Sequence, residues 1–420
     1  MRVWLIPGLV TLLLPGAALA YPLYGSEDSG IRRLEQARLA HEGVIEGKKK
    51  VSGELLSNEQ VELRLLDRQD FSLPAADPAF TKEIVALLGG NRDRYSISVL
   101  DLSEPENPRY AEHHGDVARN PGSVGKIIVG TGVFQALADA YPDDIEKRLA
   151  VLRDTVITAD EFIIKDGHKV RFWIPATREF FRRPLQIGDQ GSLYEYLDWM
   201  MSASSNAAAA TVQKQAMLLT HYGTAYPVSD AEADRYFAET PKQELRDTLV
   251  KAIQEPLARS GIDLEKLRQG SFFTRTGKQK VPGTNSYSTS REMMRWLVLM
   301  EQGRIVDAFS SRELKRLLYM TERRIRYASS PALRDSAVYF KSGSLYSCEP
   351  EPGFKCKKYH GNKKNLMNSI AIVETPAGDP KLFYIVTMTS NVLKKNSAVD
   401  HQTLATKIHR IIETDHGLTQ

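Results

Sequence analysis

The two ends of this chain read as strands and its middle reads as helices. Residues 95–102 (YSISVLDL) alternate in polarity and are rich in β-formers, and residues 109–114 offer a hairpin partner. The segments 337–346, 368–374 and 381–390 have the same character near the other end. Between them, helical periodicity runs over 193–201, 244–260, 290–302 and 311–320, and a last helix covers 399–413. The order of strands, helices, strands and a helix predicts an α/β (α+β) architecture: one antiparallel sheet from both chain ends, with a helical region inserted at about 123–335.

Three further segments flank or interrupt this plan. Residues 1–20 begin with Arg2, continue as an apolar stretch broken by Pro7, Gly8, Pro15 and Gly16, and close on Ala18-Leu19-Ala20. That pattern reads as a secretory signal peptide and implies a periplasmic or secreted protein. Residues 21–75 are a polar N-terminal extension with weak helical periodicity near 31–40 and 55–66, read as an arm; the main domain is 76–420. The stretch 157–190 is aromatic and basic, and reads as a hairpin-like insertion. No downstream run is long and apolar enough to cross a bilayer. The 420 residues carry a net charge of only +4, which argues against a nucleic-acid binder. In an exported chain the two cysteines, Cys348 and Cys356, are expected to pair. Neither His113-His114 nor His360 has a convincing metal-ligand spacing, so no metal or other cofactor is called.

The chemistry begins at Asn120-Pro121, which reads as the start of a helix reaching about residue 140. Ser123 and Lys126 lie three residues apart in its first turn and so share a face. A lysine placed there can take the serine proton, which turns a weak nucleophile into a competent one. Ser204 and Asn206 follow the 193–201 helix in a small-residue stretch, where a hydroxyl and an amide can face one pocket. Lys341, Ser342 and Gly343 lie inside the strand 337–346. A cation and a hydroxyl there can bind a carboxylate, and glycine within a strand marks a close approach. The segment 122–126 is no phosphate-binding loop, because position 120 is Asn and position 127 is Ile.

The motifs S-x-x-K, S-x-N and K-S-G, in this order and setting, resemble the signature of the penicillin-recognising serine hydrolases. Residues 287–295 and 299–303 resemble the helix before the third motif in class A β-lactamases, and 200–206 resembles their second-motif region. The likeness spans about 77–415. It implies a β-lactamase/transpeptidase-like fold and roles residue by residue. Ser123 is the implied nucleophile, Lys126 the general base and Ser204 the proton relay to the leaving nitrogen. Asn206 is the implied substrate-amide contact, Lys341 the electrostatic residue and Ser342 the carboxylate-binding hydroxyl. The backbone N–H groups of Ser123 and Ser344 form the implied oxyanion hole.

Two departures qualify the likeness. Class A β-lactamases carry an E-x-x-L-N loop whose Glu activates the deacylating water, whereas 270–284 holds neither Glu nor Asp. The spacing from first to second motif is also longer, because of the insertion. The expected protein is an exported serine hydrolase that forms an acyl-enzyme with β-lactam or D-Ala-D-Ala-like substrates. The alternatives are a D-alanyl-D-alanine peptidase of cell-wall metabolism and a non-catalytic peptidoglycan-binding relative. The expected partner is a β-lactam or a peptidoglycan stem peptide, and the oligomeric state is open. Glu161, in the insertion, is a carboxylate that folding back would bring to the site. Lys355, Lys357, Lys358, Lys363 and Lys364 either attract an anionic polymer or form a solvated basic loop, the second being the simpler reading.

Overall fold

The computed structural model describes residues 24–321 and 324–418, so the leader expected over 1–20 lies outside the described residues. The strands used below are β1 (Tyr95–Asp101), β2 (Arg109–His113), β3 (Lys169–Ile174), β4 (Glu179–Pro184), β5 (Ala337–Ser347), β6 (Lys364–Thr375) and β7 (Leu382–Asn391). The helices labelled below are α1 (Arg33–His41), α2 (Pro78–Ala86), α3 (Lys126–Ala140), α4 (Leu193–Met201), α5 (Asn206–Tyr222), α6 (Ser290–Glu301), α7 (Ala308–Tyr319) and α8 (Ser397–Asp415).

One five-stranded sheet organises the chain in the order β2-β1-β7-β6-β5. All its pairings are antiparallel, with Tyr95 opposite Ser390, Ser369 opposite Ser342 and Ile97 opposite His113. Strands from both chain ends therefore close a single sheet, as the order of elements predicts. Successive side chains point to opposite faces of a strand. Val99, Ala371 and Val373 accordingly join Phe80 of α2 and Leu404 and Ile408 of α8 on one face. Leu100, Ile370 and Ile372 join the other face, beneath the helical region with Phe134, Trp199 and Trp296. Covered on both faces, β1 buries all its residues, including Ser96 and Ser98.

The expected 244–260 helix is two, Lys242–Ile253 and Glu255–Arg259, broken at Gln254 just before Pro256. That break is what a proline near a helix start produces. The insertion holds two antiparallel pairs: β3 with β4, and Val156–Thr158 with Gln190–Ser192. The N-terminal arm is packed into the body. Only its first predicted helix forms, as α1; the stretch 55–66 is largely irregular, yet it buries Leu56, Val61 and Leu65. Ion pairs hold the arm down. Arg33 clamps Asp198 of α4 at 2.5 Å, and Arg64 reaches Glu374 of β6 at 2.9 Å. Glu374 and Glu301 share the fully buried ammonium of Lys315.

Candidate active site

Ser123 lies in a tight 3-10 turn, Gly122–Gly125, and the α-helix starts only at Lys126. This corrects the single helix expected from residue 120. Asn120 caps the turn, its Oδ1 accepting from the Gly122 N–H at 2.9 Å. The turn is tied to the sheet by Asn368 of β6, which donates to the Asn120 carbonyl at 3.1 Å and accepts from Thr389 at 2.6 Å.

Edge strand β5 passes directly beneath. A Cβ on Gly343 would lie 2.5 Å from both the Ser123 nitrogen and the Pro121 oxygen. Only glycine permits that approach. Gly122, at φ 53°, closes the contact from the other side; a Cβ there would sit 3.3 Å from the Ser344 nitrogen. The backbone of Ser344 is thus brought beside that of Ser123.

Lys126 is completely buried, and its Nζ lies within hydrogen-bond distance of four oxygens. They are Ser123 Oγ at 3.0 Å, the Ser204 carbonyl at 2.7 Å, Ser204 Oγ at 3.4 Å and Asn206 Oδ1 at 2.8 Å. The Phe273 ring lies 4.9 Å from the same nitrogen. Burial brings the Lys126 amine down to about 7; the Asp166 carboxylate pulls it up and the Arg326 guanidinium pushes it further down. Lys341 Nζ donates to Ser204 Oγ at 2.8 Å. Burial, with the charges of Lys126 and Arg326, holds that amine well below the usual lysine range. Ser204 links the two lysines, and its backbone adopts a left-handed φ of 61°. Such strain in a non-glycine residue is concentrated at functional sites.

Ser123, Ser204, Asn206, Lys341, Ser342 and Ser344 line one cleft of about 940 Å³. Lys126 lies buried just behind it, and Gly343 supplies the backbone contact beneath.

Two contributors carried no sequence signal. Asp166, from the insertion, accepts from Ser205 Oγ and from the N–H groups of Asn206 and Ala207, at 2.8–2.9 Å. It sits at the N-terminus of α5, where a negative charge is favoured. Burial would raise its carboxyl, but the His168 ring and these hydrogen bonds hold it well below the usual range. Arg326 precedes β5 in a turn with φ 52°. It donates to Ser342 Oγ at 2.7 Å and to the Tyr359 hydroxyl at 2.9 Å. Tyr359 follows the Cys348–Cys356 disulfide, which closes the loop after β5 as expected.

Segment 270–284 borders the cleft through Ser271, Phe272, Phe273, Lys278 and Thr284, and brings no carboxylate. Glu161 does not fold back toward the site: it is exposed and pairs with Lys280 at 3.0 Å. Asp93, His113 and His114 present ligand atoms within 4.8 Å of one another, a proximity that their sequence spacing gave no reason to expect. These residues do not line the cleft.

No family model and no curated protein matches this sequence. Among solved structures, a β-lactamase from Sphaerobacter thermophilus aligns over 80% of this chain and 98% of its own, at 14% identity and a TM-score of 0.50. This chain has a β-lactamase-like fold. A β-lactamase from Chitinophaga pinensis aligns over 80% of this chain and 98% of its own, at 15% identity and a TM-score of 0.49. PBP-A aligns over 82% and 100%, at 12% identity and 0.47. At such identities the likeness concerns the backbone alone. In the β-lactamase-like fold of this chain, the cleft lies where β5 meets the first turn of the α3 segment and the loop between α4 and α5.

Proposed function

We propose that this protein is an exported serine hydrolase that forms an acyl-enzyme with β-lactam or D-Ala-D-Ala-like substrates. The observation that carries the reading is the continuous polar chain Ser123 Oγ, Lys126 Nζ, Ser204 Oγ, Lys341 Nζ, opening on one cleft. A binding module has no need of a serine hydroxyl held against a buried, low-pKa amine.

In the proposed reaction, the substrate carboxylate docks against Ser342, whose hydroxyl is fixed by the Arg326 guanidinium, while Lys341 stands beside it as a hydrogen-bonding partner of Ser204. The Asn206 amide meets the substrate amide. Neutral Lys126 takes the Ser123 proton as Oγ attacks the carbonyl carbon. The C–O bond forms, and the carbonyl pair moves onto the oxygen, facing the Ser123 and Ser344 N–H groups. When that oxyanion collapses, the C–N bond breaks. The proton on Lys126 passes through Ser204 Oγ to the leaving nitrogen. The acyl group is left as an ester on Ser123 and Lys126 is neutral again. A positioned base contributes about 10²–10⁴-fold to such a step.

Hydrolysis of the ester then needs an activated water. Since 270–284 brings no carboxylate to the cleft, Lys126 is, among the described residues, the base that stands beside the ester. This favours slow release, as in a penicillin-binding peptidase, over rapid β-lactam turnover. Reaction with a fluorescent penicillin, followed by the decay of the label, tests both halves: no labelling rules out acyl transfer, and labelling with loss in milliseconds rules out slow release.

A further inference from the structure

The edge of the sheet away from the cleft carries a second group of chemistry-bearing side chains. Strand β2 forms the edge opposite β5, and a 3-10 turn, Gly89–Arg94, leads into its neighbour β1. Asp93 lies in that turn, His113 ends β2 and His114 follows it. Among the described residues, these form the one group of three metal-ligating side chains whose ligand atoms all lie within 4.8 Å of one another.

Adjacent residues of a strand point to opposite faces, so a continued β2 would part the two imidazoles. Instead the strand ends at His113, and His114 takes a left-handed φ of 53°. The two rings stack, with centroids 3.8 Å apart. Each ring is also anchored on backbone. His113 Nε2 lies 3.1 Å from the Arg92 carbonyl, and His114 Nδ1 lies 3.1 Å from the Tyr95 carbonyl. A carbonyl only accepts, so these two nitrogens carry the protons. The other nitrogen of each ring, His113 Nδ1 and His114 Nε2, keeps its lone pair. An imidazole that donates one N–H to a backbone carbonyl is oriented as metal-ligating histidines are.

We propose that Asp93, His113 and His114 form a site for a divalent transition cation of the zinc class, with water completing its shell. Two imidazoles and a carboxylate suit zinc, whereas magnesium and calcium take oxygen donors. Ligand atoms around a tetrahedral zinc stand about 3.3 Å apart, so atoms within 4.8 Å must close by about 1.5 Å at most. Rotation of the exposed Asp93 and His114 side chains supplies that movement. Arg92 and Arg94 flank Asp93 and are exposed too, where solvent and salt screen their repulsion of the ion. The bound ion clips the end of β2 to the turn that enters β1, and stabilises this sheet edge because it binds the folded chain. The site is independent of the acyl-transfer reading.

Calorimetric titration of the metal-free protein with zinc chloride tests it and should show one saturable site. Asp93→Asn, His113→Gln and His114→Asn should each weaken that site by at least about tenfold. Asparagine tolerates the left-handed backbone of position 114, so that variant keeps the fold. His416 also faces carboxylates, Asp101 at 2.8 Å and Glu104 at 3.7 Å, and is the rival position for an adventitious ion. His416→Gln should therefore leave the affinity unchanged. Nuclear magnetic resonance of the parent reads the ligands without any substitution: zinc should shift the ring signals of His113 and His114 and leave those of His416 in place. The proposal is overturned by no saturable binding, by an affinity that survives all three substitutions, by zinc shifts confined to other histidines, or by magnesium binding as tightly as zinc.

Discussion

Lys126 Nζ lies 3.0 Å from Ser123 Oγ and is buried completely, while the hydroxyl it faces opens on the cleft. An ammonium there donates to the hydroxyl. The neutral amine reverses the bond and can accept the proton. Burial favours the neutral form and brings the group to about 7.

The first prediction is the pH profile. Lys126 acts as a base only when neutral, above about 7, so acylation must rise with pH through that value. Below it, the second-order rate should fall by about tenfold per pH unit. A rate that is flat from pH 5 to 9, by stopped flow with a chromogenic cephalosporin, would remove Lys126 from the role.

Asp166 gives the second. Its charge holds the Lys126 amine up, so Asp166→Asn should let that amine fall and move the acid limb to lower pH. A purely structural residue would lower activity without moving the limb. Asp166→Ala should in addition cost about 1–3 kcal/mol of stability, since Ser205 and two N–H groups lose their acceptor. A limb that stays in place in Asp166→Asn contradicts the coupling.

These two residues mark the boundary of what the sequence made legible. Ser123 and Lys126 are three positions apart, a local relation that any helical turn brings together. Lys341 to Gly343 stood out because a glycine interrupts a strand-forming run. Asp166 meets Asn206 from forty positions away, in a polar loop with no periodicity. Arg326 sits in a turn with φ 52°, which arginine rarely adopts and no pattern announces. The arm 24–75 buries scattered apolar residues such as Ile31, Leu56 and Val61 and is tied down by Arg33–Asp198 and the Arg64–Glu374–Lys315 cluster, long-range relations that leave its helical periodicity weak. The start of α3 differed by a few residues because 3-10 and α turns share their local preferences.

Gly343→Ala should fold but acylate about 10²-fold more slowly. The added Cβ would lie 2.5 Å from the Ser123 nitrogen and must push β5 from the nucleophile turn, displacing the Ser344 N–H. Near-parent kinetics with an unchanged melting temperature would show that the close approach is not required.

Lys315→Ala tests the buried charge cluster. It leaves Glu301 and Glu374 buried side by side without the ammonium between them. Removing one partner of a buried pair costs about 3–5 kcal/mol, so the urea midpoint should drop sharply. Penicillin labelling of the protein that remains folded should persist, because Lys315 does not line the cleft. A loss under about 1 kcal/mol would mean that the Lys315 ammonium contributes little to holding Glu301 and Glu374 in the core.

The central claim is covalent acylation of Ser123, and intact-protein mass spectrometry after mixing with benzylpenicillin reads it directly. The parent should gain one penicilloyl mass that persists for minutes and maps to the peptide holding Ser123, and Ser123→Ala should gain none. A parent that never gains the mass, or a Ser123→Ala variant that gains it equally, would contradict the account.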